Sequence, residues 1–387
     1  MSVLLEWMFW LSCASVAYVY AGYPLLIRIW SRVRPRAIRP IGPEELPPIS
    51  IVIAARNEAN TLGARIENLL SLEYPADCQI IVVSDGSTDD TAIVLADYRQ
   101  QVEGVLVPAG GKARALNAGV ARARHDIVVF ADARQVFAPH ALQELVAPFR
   151  DPAVGVVSGE LLFVTGDSGS TIAEGLGLYW NYEKSIRRDE SAIHSTLGAT
   201  GAIYAIRRST WVPLPPDTIL DDVLTPMRAV LGGYRSVFNG LARAFDRPSA
   251  SAKAESRRKV RTLAGNFQLV CLEPRLLLPW CNPVWLQFFS HKVGRLLVPY
   301  ALVLMLVSSA CLTPWSSFYA AAFAAQLLLY AFAIYGAWLD EHEGGAHRRE
   351  SGDLFARFAR VALTFLVLNA SAVAGLWMFA LNKKVWR

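Results

Sequence analysis

The chain has few cysteines, and none of them lies in a pattern that binds metal. The 387 residues include five cysteines, which form no CxxC pair and no cluster with histidine. This argues against a zinc site or a disulfide framework and favours a reduced, cytosolic environment. Two glycine patterns are also missing. No GxGxxG follows the first predicted strand, which disfavours a membrane-tethered reductase, and Gly110-Gly111-Lys112 lacks the remainder of a P-loop.

Apolar residues are abundant, at 53% of the chain, and their excess lies at the two ends. Residues 4–30 are almost wholly apolar, and a bilayer-crossing helix needs about 20 such residues. The start of the chain carries no Lys or Arg, and basic residues follow the apolar run. We therefore predict a retained anchor with the N-terminus outside, rather than a signal peptide. Residues 296–313, 317–339 and 361–381 predict further spans.

The charges beside these runs leave the number of crossings open. His291, Lys292 and Arg295 place the start of the second span in the cytosol by the positive-inside rule. Four crossings would then leave the basic tail at 383–387 outside, against the same rule. Either one run does not cross fully or the tail is an exception.

Between the apolar ends, short apolar runs alternate with helical patterns. The runs that predict buried strands are 49–55, 80–83, 102–108, 126–133 and 154–161. This alternation predicts an α/β domain with a mostly parallel sheet and right-handed crossovers. The expected organisation is an anchor (1–31), a basic Pro-rich linker (32–48), the α/β domain (49–250), basic amphipathic interfacial helices (251–295) and a C-terminal transmembrane region (296–387).

Three carboxylates fall at the ends of predicted elements. Asp85 and Asp132 follow strands, and Asp222 lies where a helix is predicted to start. Taken alone, Asp85 and Ser87 would cap the next helix, because Asp and Ser are good N-cap residues. Taken together, acids at the carboxyl ends of strands in one sheet would face a single cleft. A divalent metal with a phosphorylated ligand would offset such a cleft.

Basic residues near these acids would complete a diphosphate site. Lys112 follows a double glycine, and Arg258 and Arg261 lie in a basic run after the predicted domain. Cationic side chains and a metal would stabilise a leaving diphosphate, and one carboxylate would serve as base.

The order of these segments resembles the membrane-embedded family 2 glycosyltransferases. These include cellulose, chitin, hyaluronan and poly-N-acetylglucosamine synthases and the related ceramide glucosyltransferases. The resemblance covers Ile49 to the C-terminus and rests on IAARNE, VVSDGSTDDT, GKARALNAG, FADA, GATGAIYAIRR, ILDD and RRKVR. It implies a Rossmann-like GT-A fold, a nucleotide-diphospho-sugar donor (usually a UDP-sugar), Mg²⁺ or Mn²⁺, and inversion at the anomeric carbon.

The resemblance also implies the setting and the partners of the protein. The catalytic domain would face the cytosol from a bacterial inner or plasma membrane, in contact with membrane lipid. The acceptor would be a glycan or a lipid, synthase subunits would be further partners, and no nucleic acid is expected.

Matching by position assigns a role to each candidate residue. Asp222 corresponds to the general base, and Asp132 to the first acid of the DxD motif, which binds the metal. The remaining matches are donor-binding Asn57, Glu58, Asp85, Lys112 and Asp132, acceptor-binding Gly198, Ala199, Thr200 and Gly201, and the QxxRW-like Arg258 and Arg261.

Two departures from the family pattern bear on function. Arg134 replaces the second acid of the DxD motif. Either Asp132 binds the metal with fewer protein ligands, or the charge of Arg134 partly takes the place of the metal beside the donor phosphates. Thr262 replaces the Trp that supports the acceptor sugar, which argues against long-chain processivity. Trp180, Tyr179 or Trp211 would either substitute for that Trp or only pack in the interior of the domain. Polymer synthesis, a single transfer to a lipid, and a non-catalytic nucleotide-sugar-binding subunit all stay open.

Overall fold

A computed structural model of the chain describes residues 2–39, 45–164, 171–246, 252–342 and 354–381. The basic tail at 383–387 and most of the loop at 340–350 lie outside this part of the chain, as does the side chain of Tyr179.

One eight-stranded sheet forms the centre of the α/β domain, in the order β3-β2-β1-β4-β7-β6-β8-β5. The apolar runs of the sequence form these strands because unbroken apolar residues suit a sheet covered on both faces. The strands are β1 Ile49–Ala55, β2 Cys78–Asp85, β3 Glu103–Val107, β4 Ile127–Ala131, β5 Val136–Phe137, β6 Val154–Phe163, β7 Ile203–Arg207 and β8 Arg235–Asp246.

The sheet is mixed, with parallel and antiparallel pairs of strands. The sequence did not predict that β7 is antiparallel to its neighbours. β1 pairs in parallel with both β2 and β4, and β2–β3 and β6–β8 are also parallel. β7 lies antiparallel between β4 and β6, and β5 lies antiparallel to β8. The predicted α/β class is confirmed, and the reversal at β7 sets the geometry of the site described below.

Helices cover both faces of the sheet and extend beyond it at both ends of the chain. Short 3₁₀ helices lie at Ala147–Arg150, Arg208–Thr210 and Pro274–Leu277, and π-helical segments at Tyr18–Gly22 and Phe288–Val293. The α-helices are α1 Ser2–Ala17, α2 Tyr23–Val33, α3 Ala59–Leu70, α4 Thr91–Asp97, α5 Lys112–Arg122, α6 Ala141–Val146, α7 Thr171–Ile193, α8 Asp221–Leu231, α9 Ala252–Leu272, α10 Trp285–Gln287, α11 Gly294–Leu312, α12 Ser317–His342 and α13 Leu354–Ala380.

Four helices in the described part of the chain are long and apolar enough to cross a membrane. They are Ser2–Val33, Trp285–Leu312, Ser317–Leu339 and Phe355–Ala380, and each predicted apolar run lies in one of them or extends past its C-terminal end by one residue. The second begins upstream of the expected residue 296, because α10, the π-helical segment and α11 form one continuous helix. The amphipathic α9 packs against α13, where an added Cβ on Gly375 would lie 2.9 Å from the backbone nitrogen of Ala264.

Arg235, on β8, joins the segment after the anchor to the domain. Its side chain is only 2% exposed, and its guanidinium donates to the carbonyls of Arg36, Ala37, Ser191 and His194. A buried guanidinium needs such acceptors, and the acceptors in turn need it.

We expect Arg235→Met to lower the free energy of unfolding by about 2–3 kcal/mol, because charged hydrogen bonds are lost and buried carbonyls are left unsatisfied. Thermal unfolding in detergent measures the effect. Arg243→Met on the same strand is the control, since Arg243 is exposed. Equal melting temperatures for the two variants would contradict this role for Arg235.

Candidate functional site

The site lies at the carboxyl ends of β1, β2 and β4. β1 pairs with β2 on one side and β4 on the other, so the chain leaves these strands toward opposite faces of the sheet. Such a switch point opens a crevice in α/β sheets. Asn57, Asp85 and Asp132, predicted as donor-binding residues, follow or end these three strands.

Asp85 closes the turn that carries Lys112. Its carboxylate accepts hydrogen bonds from the backbone N–H of Gly110 at 2.6 Å and of Gly111 at 2.9 Å, and it is 3% exposed. Gly86 permits the close approach: its φ is +58°, and a Cβ there would lie 2.5 Å from the nitrogen of Ala109. Asp85 therefore organises the turn before α5.

The capping hypothesis for Asp85 and Ser87 is wrong. The backbone N–H of Thr91, at the start of α4, donates instead to Asp89 at 3.1 Å. The hydroxyl of Ser87 accepts from the backbone N–H of Asn57 at 3.1 Å. Asp90 is the N-cap residue of α4 and makes no side-chain cap hydrogen bond, so the contact to Asp89 lies one residue before the cap. Ser87 joins the segments that follow β1 and β2.

Asn57 and Glu58 lie between β1 and α3, and their backbone N–H groups donate to Ser87 and Thr91 of this stretch. Asn57 has a φ of +55°, and its Oδ1 accepts from the backbone N–H of Thr88 at 2.8 Å. Glu58 precedes α3 and accepts from the hydroxyl of Thr61 at 2.7 Å. Both residues contact the segment that follows Asp85, and their contact with a nucleoside stays a prediction.

Lys112 lies between acids from two elements. Its Nζ is 3.2 Å from Oδ1 of Asp132, after β4, and 3.4 Å from Oδ2 of Asp221, at the start of α8. Burial works against the charge of Lys112. The carboxylates of Asp132, Asp221 and Asp222 outweigh that effect and hold the pKa of Lys112 above its ordinary value. The predicted grouping of Lys112, Asp132 and Asp222 is therefore present in the fold.

Asp222 faces the glycine loop that was predicted to bind the acceptor. A Cβ added to Gly201 would lie 2.9 Å from Oδ2 of Asp222, and the backbone N–H of Ala199 donates to the carbonyl of Asp222 at 2.7 Å. Burial, reinforced by Asp221, raises the pKa of Asp222 from 3.8 to about 6, while Lys112 acts in the opposite direction. A carboxyl with this pKa is suited to accept a proton near neutral pH.

The reversed strand β7 brings the glycine loop to the acids. Ile203 on β7 pairs with Ala131 on β4, so the residues before β7 lie beside Asp132. Thr200 is fixed there by two contacts: its N–H donates to Ser158 at 2.9 Å, and its hydroxyl accepts from Arg187 at 3.2 Å. Antiparallel pairing is the physical reason why Gly198–Gly201 reach the site at all.

Arg134 does not point toward the acids. Its Nε is 3.3 Å from Oδ2 of Asp246 at the end of β8, and Gln135 donates to the same oxygen at 2.8 Å. The hypothesis that Arg134 replaces a metal against phosphate is therefore unsupported by its position.

The donor atoms fit a divalent ion that arrives with a diphosphate. Among the residues that the structure describes, no group of three or more His, Cys, Asp or Glu side chains is placed to hold a metal ion. Asp132 offers one carboxylate, 36% exposed. Mg²⁺ in nucleotide sites commonly takes one or two carboxylates and completes its shell from phosphates and water.

The two arginines of α9 that were predicted to bind diphosphate, Arg258 and Arg261, lie in different surroundings. Arg261 lies within electrostatic reach of Asp221 and Asp222; burial lowers its pKa, and these carboxylates counteract the shift. Arg258 is exposed, and its carbonyl accepts from the hydroxyl of Thr262. Arg261 is the member of the pair that the fold brings to the acids.

Two residues of the site were not singled out from the sequence. Asp221 pairs with Lys112, and only its position next to Asp222 could have suggested it. Arg187 contacts Thr200, and its signal was the aromatic and basic stretch at 175–188. Among the aromatic candidates, Trp211 stacks on Phe130 at 5.3 Å between ring centroids and so belongs to the packing of the domain.

Comparison with known proteins finds one matching family model and several curated relatives. The family model for glycosyl transferase family 2 matches residues 50–210. The poly-β-1,6-N-acetyl-D-glucosamine synthase of Staphylococcus aureus is 27% identical over 209 residues, which are 52% of this chain and 50% of that protein. The Staphylococcus epidermidis synthase is 35% identical over 115 residues, 29% of this chain and 28% of its own. The chain thus spans at most about half the length of these curated relatives.

A solved structure shares the fold over nearly the whole chain. It is a mannosyltransferase from Pyrobaculum calidifontis in complex with GDP-Man and Mn²⁺. The TM-score is 0.70 at 22% identity, and the match covers 97% of this chain and 99% of that one. At this identity the likeness establishes the GT-A fold, as predicted.

Proposed function

We propose, from the premise that this chain carries a family 2 glycosyltransferase domain, that it transfers a sugar from a nucleotide-diphospho-sugar to a polysaccharide or glycolipid acceptor. The reaction would invert the anomeric centre, and the domain would work at the cytosolic face of a membrane. The observation that carries the proposal is the placement of Asp222 beside Gly201, with Lys112 between Asp132 and Asp221.

The chain's own residues supply two needs of an inverting transfer. Asp222 would accept the proton of the acceptor hydroxyl, and a carboxylate with a raised pKa is a competent base close to neutral pH. Lys112 and Arg261 would stabilise the negative charge that grows on the leaving diphosphate. A single base suffices, unlike the paired carboxylates of a glycoside hydrolase.

Asp132 would hold a Mg²⁺ or Mn²⁺ ion that is shared with the donor diphosphate. When bound, such an ion neutralises phosphate charge. Lys112 now occupies one oxygen of Asp132, so its ammonium group would turn toward the diphosphate when the donor enters.

A non-catalytic role is the weaker alternative. Its main support was Arg134, but Arg134 pairs with Asp246 and leaves Asp132, Asp221 and Asp222 grouped around Lys112. Transfer to a lipid in one step is favoured by the exposed Thr262, which offers no stacking face where the family has a Trp.

Incubation of the purified protein with UDP-sugars and GDP-Man, with Mg²⁺ or Mn²⁺, tests the proposal. GDP-Man belongs in the panel because the mannosyltransferase of the same fold was solved with it. Nucleotide release with a product ladder identifies a polymer synthase, and one discrete lipid product a single-step transferase. No release with any donor would refute the catalytic proposal.

We expect Asp85→Ala to weaken binding of the donor nucleotide by about 10–100-fold, because the turn before Lys112 loses the acceptor of its charge-assisted hydrogen bonds. Calorimetry with the nucleoside diphosphate measures this change. Asp85→Asn, which keeps one acceptor oxygen, should lose less. An unchanged dissociation constant in Asp85→Ala would remove Asp85 from the donor site.

A further inference from the structure

Helix α7 carries buried charged side chains that the proposed reaction does not use. Glu183 and Glu190 of α7 contact His291 and Arg295 of the second candidate span, Trp285–Leu312. Glu190 is 0% exposed and His291 is 6% exposed. A buried charge is costly unless it is paired, and removal of one partner leaves the other uncompensated. This buried group therefore fixes α7 and the second candidate span relative to one another.

His291 lies at the centre of the buried group. Its Nδ1 is 2.8 Å from Oε1 of Glu190, and its Nε2 is 3.2 Å from Oε2 of Glu183. Arg295 donates to the other oxygen of Glu183. Burial favours the neutral form of Glu183, but Arg295 and His291 outweigh this effect and hold the pKa of Glu183 below its ordinary value. With the ring of His291 protonated, both ring nitrogens donate, and two positive charges balance two negative ones.

Helix α7 also contacts the first candidate span, Ser2–Val33. The hydroxyl of Tyr23 donates to Oε1 of Glu190 at 2.6 Å, and the hydroxyl of Ser31 donates to Asp189 at 3.0 Å. One oxygen of Glu190 thus contacts both candidate spans. The position of α7 is therefore set by two candidate membrane helices as well as by the α/β domain.

The same face of α7 leads to the glycine loop. Arg187 lies on that face, because it is four residues after one glutamate of the buried group and three residues before the other. Its guanidinium donates to the hydroxyl of Thr200 at 3.2 Å, and the next residue, Gly201, faces the carboxylate of Asp222. A shift of α7 would therefore move the contact that holds the loop beside the base.

The second candidate span itself passes near the base. Lys292 follows His291 in the chain and lies within electrostatic reach of Asp222. Lys112, Lys292 and Arg187 all oppose the burial that raises the pKa of Asp222. The helix that carries His291 is thus close enough to influence the site.

We propose that His291 is a positioning residue for sugar transfer. By joining the two glutamates of α7, it fixes that helix against the candidate membrane helices, and Arg187 then holds Thr200 beside the base. The effect on catalysis rests on the proposed function, whereas the effect on the order of the glycine loop does not. The candidate spans are then part of the catalytic arrangement as well as an anchor.

Amide hydrogen exchange of the purified protein in detergent tests this chain of contacts without turnover. We expect His291→Gln to speed exchange at Ala199 and Thr200 by about tenfold, because a less firmly held α7 lets the loop open more often. Arg187→Met, which leaves the buried group intact, should have the same effect. Exchange in β1 should stay as slow as in the wild type.

Two outcomes of the exchange experiment would overturn the proposal, whether or not any donor is turned over. One is wild-type exchange at the loop in His291→Gln. The other is faster exchange throughout β1 in that variant, which would assign His291 to overall stability alone. His140→Gln and Arg188→Met are the matched controls, since the His140 side chain is 63% exposed and Arg188 is an exposed neighbour of Arg187 on the same helix.

Kinetics with a donor that is turned over test the consequence for transfer. His291→Gln and Arg187→Met should each lower kcat by about tenfold, because the groups around the acceptor hydroxyl are misplaced. The KM for the donor should stay within about twofold, since the donor side of the site is untouched. Both residues act through one chain of contacts, so the double variant should lose little more than either single variant. Losses that multiply in the double variant would show independent action and contradict the proposal.

Discussion

Asp222→Asn is expected to lower kcat by about 10²–10⁴-fold, the usual contribution of a general base. The amide keeps the shape of the side chain and cannot accept the proton of the acceptor hydroxyl. Affinity for the nucleoside diphosphate should change little, because Lys112 and Asp132 stay in place. Single-turnover transfer and calorimetry measure the two quantities separately.

The same substitution should not destabilise the fold. The pKa of Asp222 is raised from 3.8 to about 6, so the folded state holds its proton more tightly than the unfolded chain. Its contribution to stability is therefore favourable at low pH and is lost as the pH rises between these values. At neutral pH the ionised carboxylate is a cost, which asparagine removes, and we expect an equal or higher melting temperature.

Asp126→Asn is the control for Asp222, because the Asp126 side chain is 96% exposed. It should leave kcat unchanged. In the wild type, kcat should fall about tenfold per pH unit below a midpoint near 6, as the base becomes protonated. Turnover that survives in Asp222→Asn would show that another group takes the proton.

Lys112→Met is expected to lower kcat/KM for the donor by about 10²–10³-fold, the range seen when one stabilising donor is removed from a developing negative charge. The ammonium group of Lys112 lies within 3.4 Å of Asp221 and 3.2 Å of Asp132, so its loss leaves the acids without their central cation. Steady-state kinetics with the donor varied measure this loss.

The pH profile of kcat shows whether Lys112→Met loses activity through a missing charge or through a disturbed structure. Lys112 lowers the pKa of Asp222, so the midpoint of the pH profile should move above 6 in Lys112→Met. Arg122→Met on the same helix is the control, since that side chain is 60% exposed and pairs with Glu103 at the surface. An unchanged midpoint would mean that Lys112 does not act on the base.

Local sequence patterns predicted the elements well. Ile49–Ala55 is a strand because its run of apolar residues, interrupted only by Ser50, suits a position buried on both faces of a sheet. The four candidate spans follow from length and apolarity alone. The placement of Asp85 and Asp132 could also be predicted, because strands joined by helical crossovers are parallel and end at one edge.

The sequence by itself determined the α/β class, the candidate membrane helices, and three acids and two cations of the cluster, namely Asp85, Asp132, Asp222, Lys112 and Arg261. Only the tertiary structure decided that β7 is antiparallel and carries Gly201 to Asp222, that Asp221 shares Lys112, and that Arg134 turns to Asp246. The physical reason is the distance along the chain over which each effect acts. Burial and periodicity act on neighbouring residues, whereas these contacts join residues separated by 21 (Gly201 and Asp222) to 112 positions (Arg134 and Asp246) in the chain, and they depend on strand direction and order.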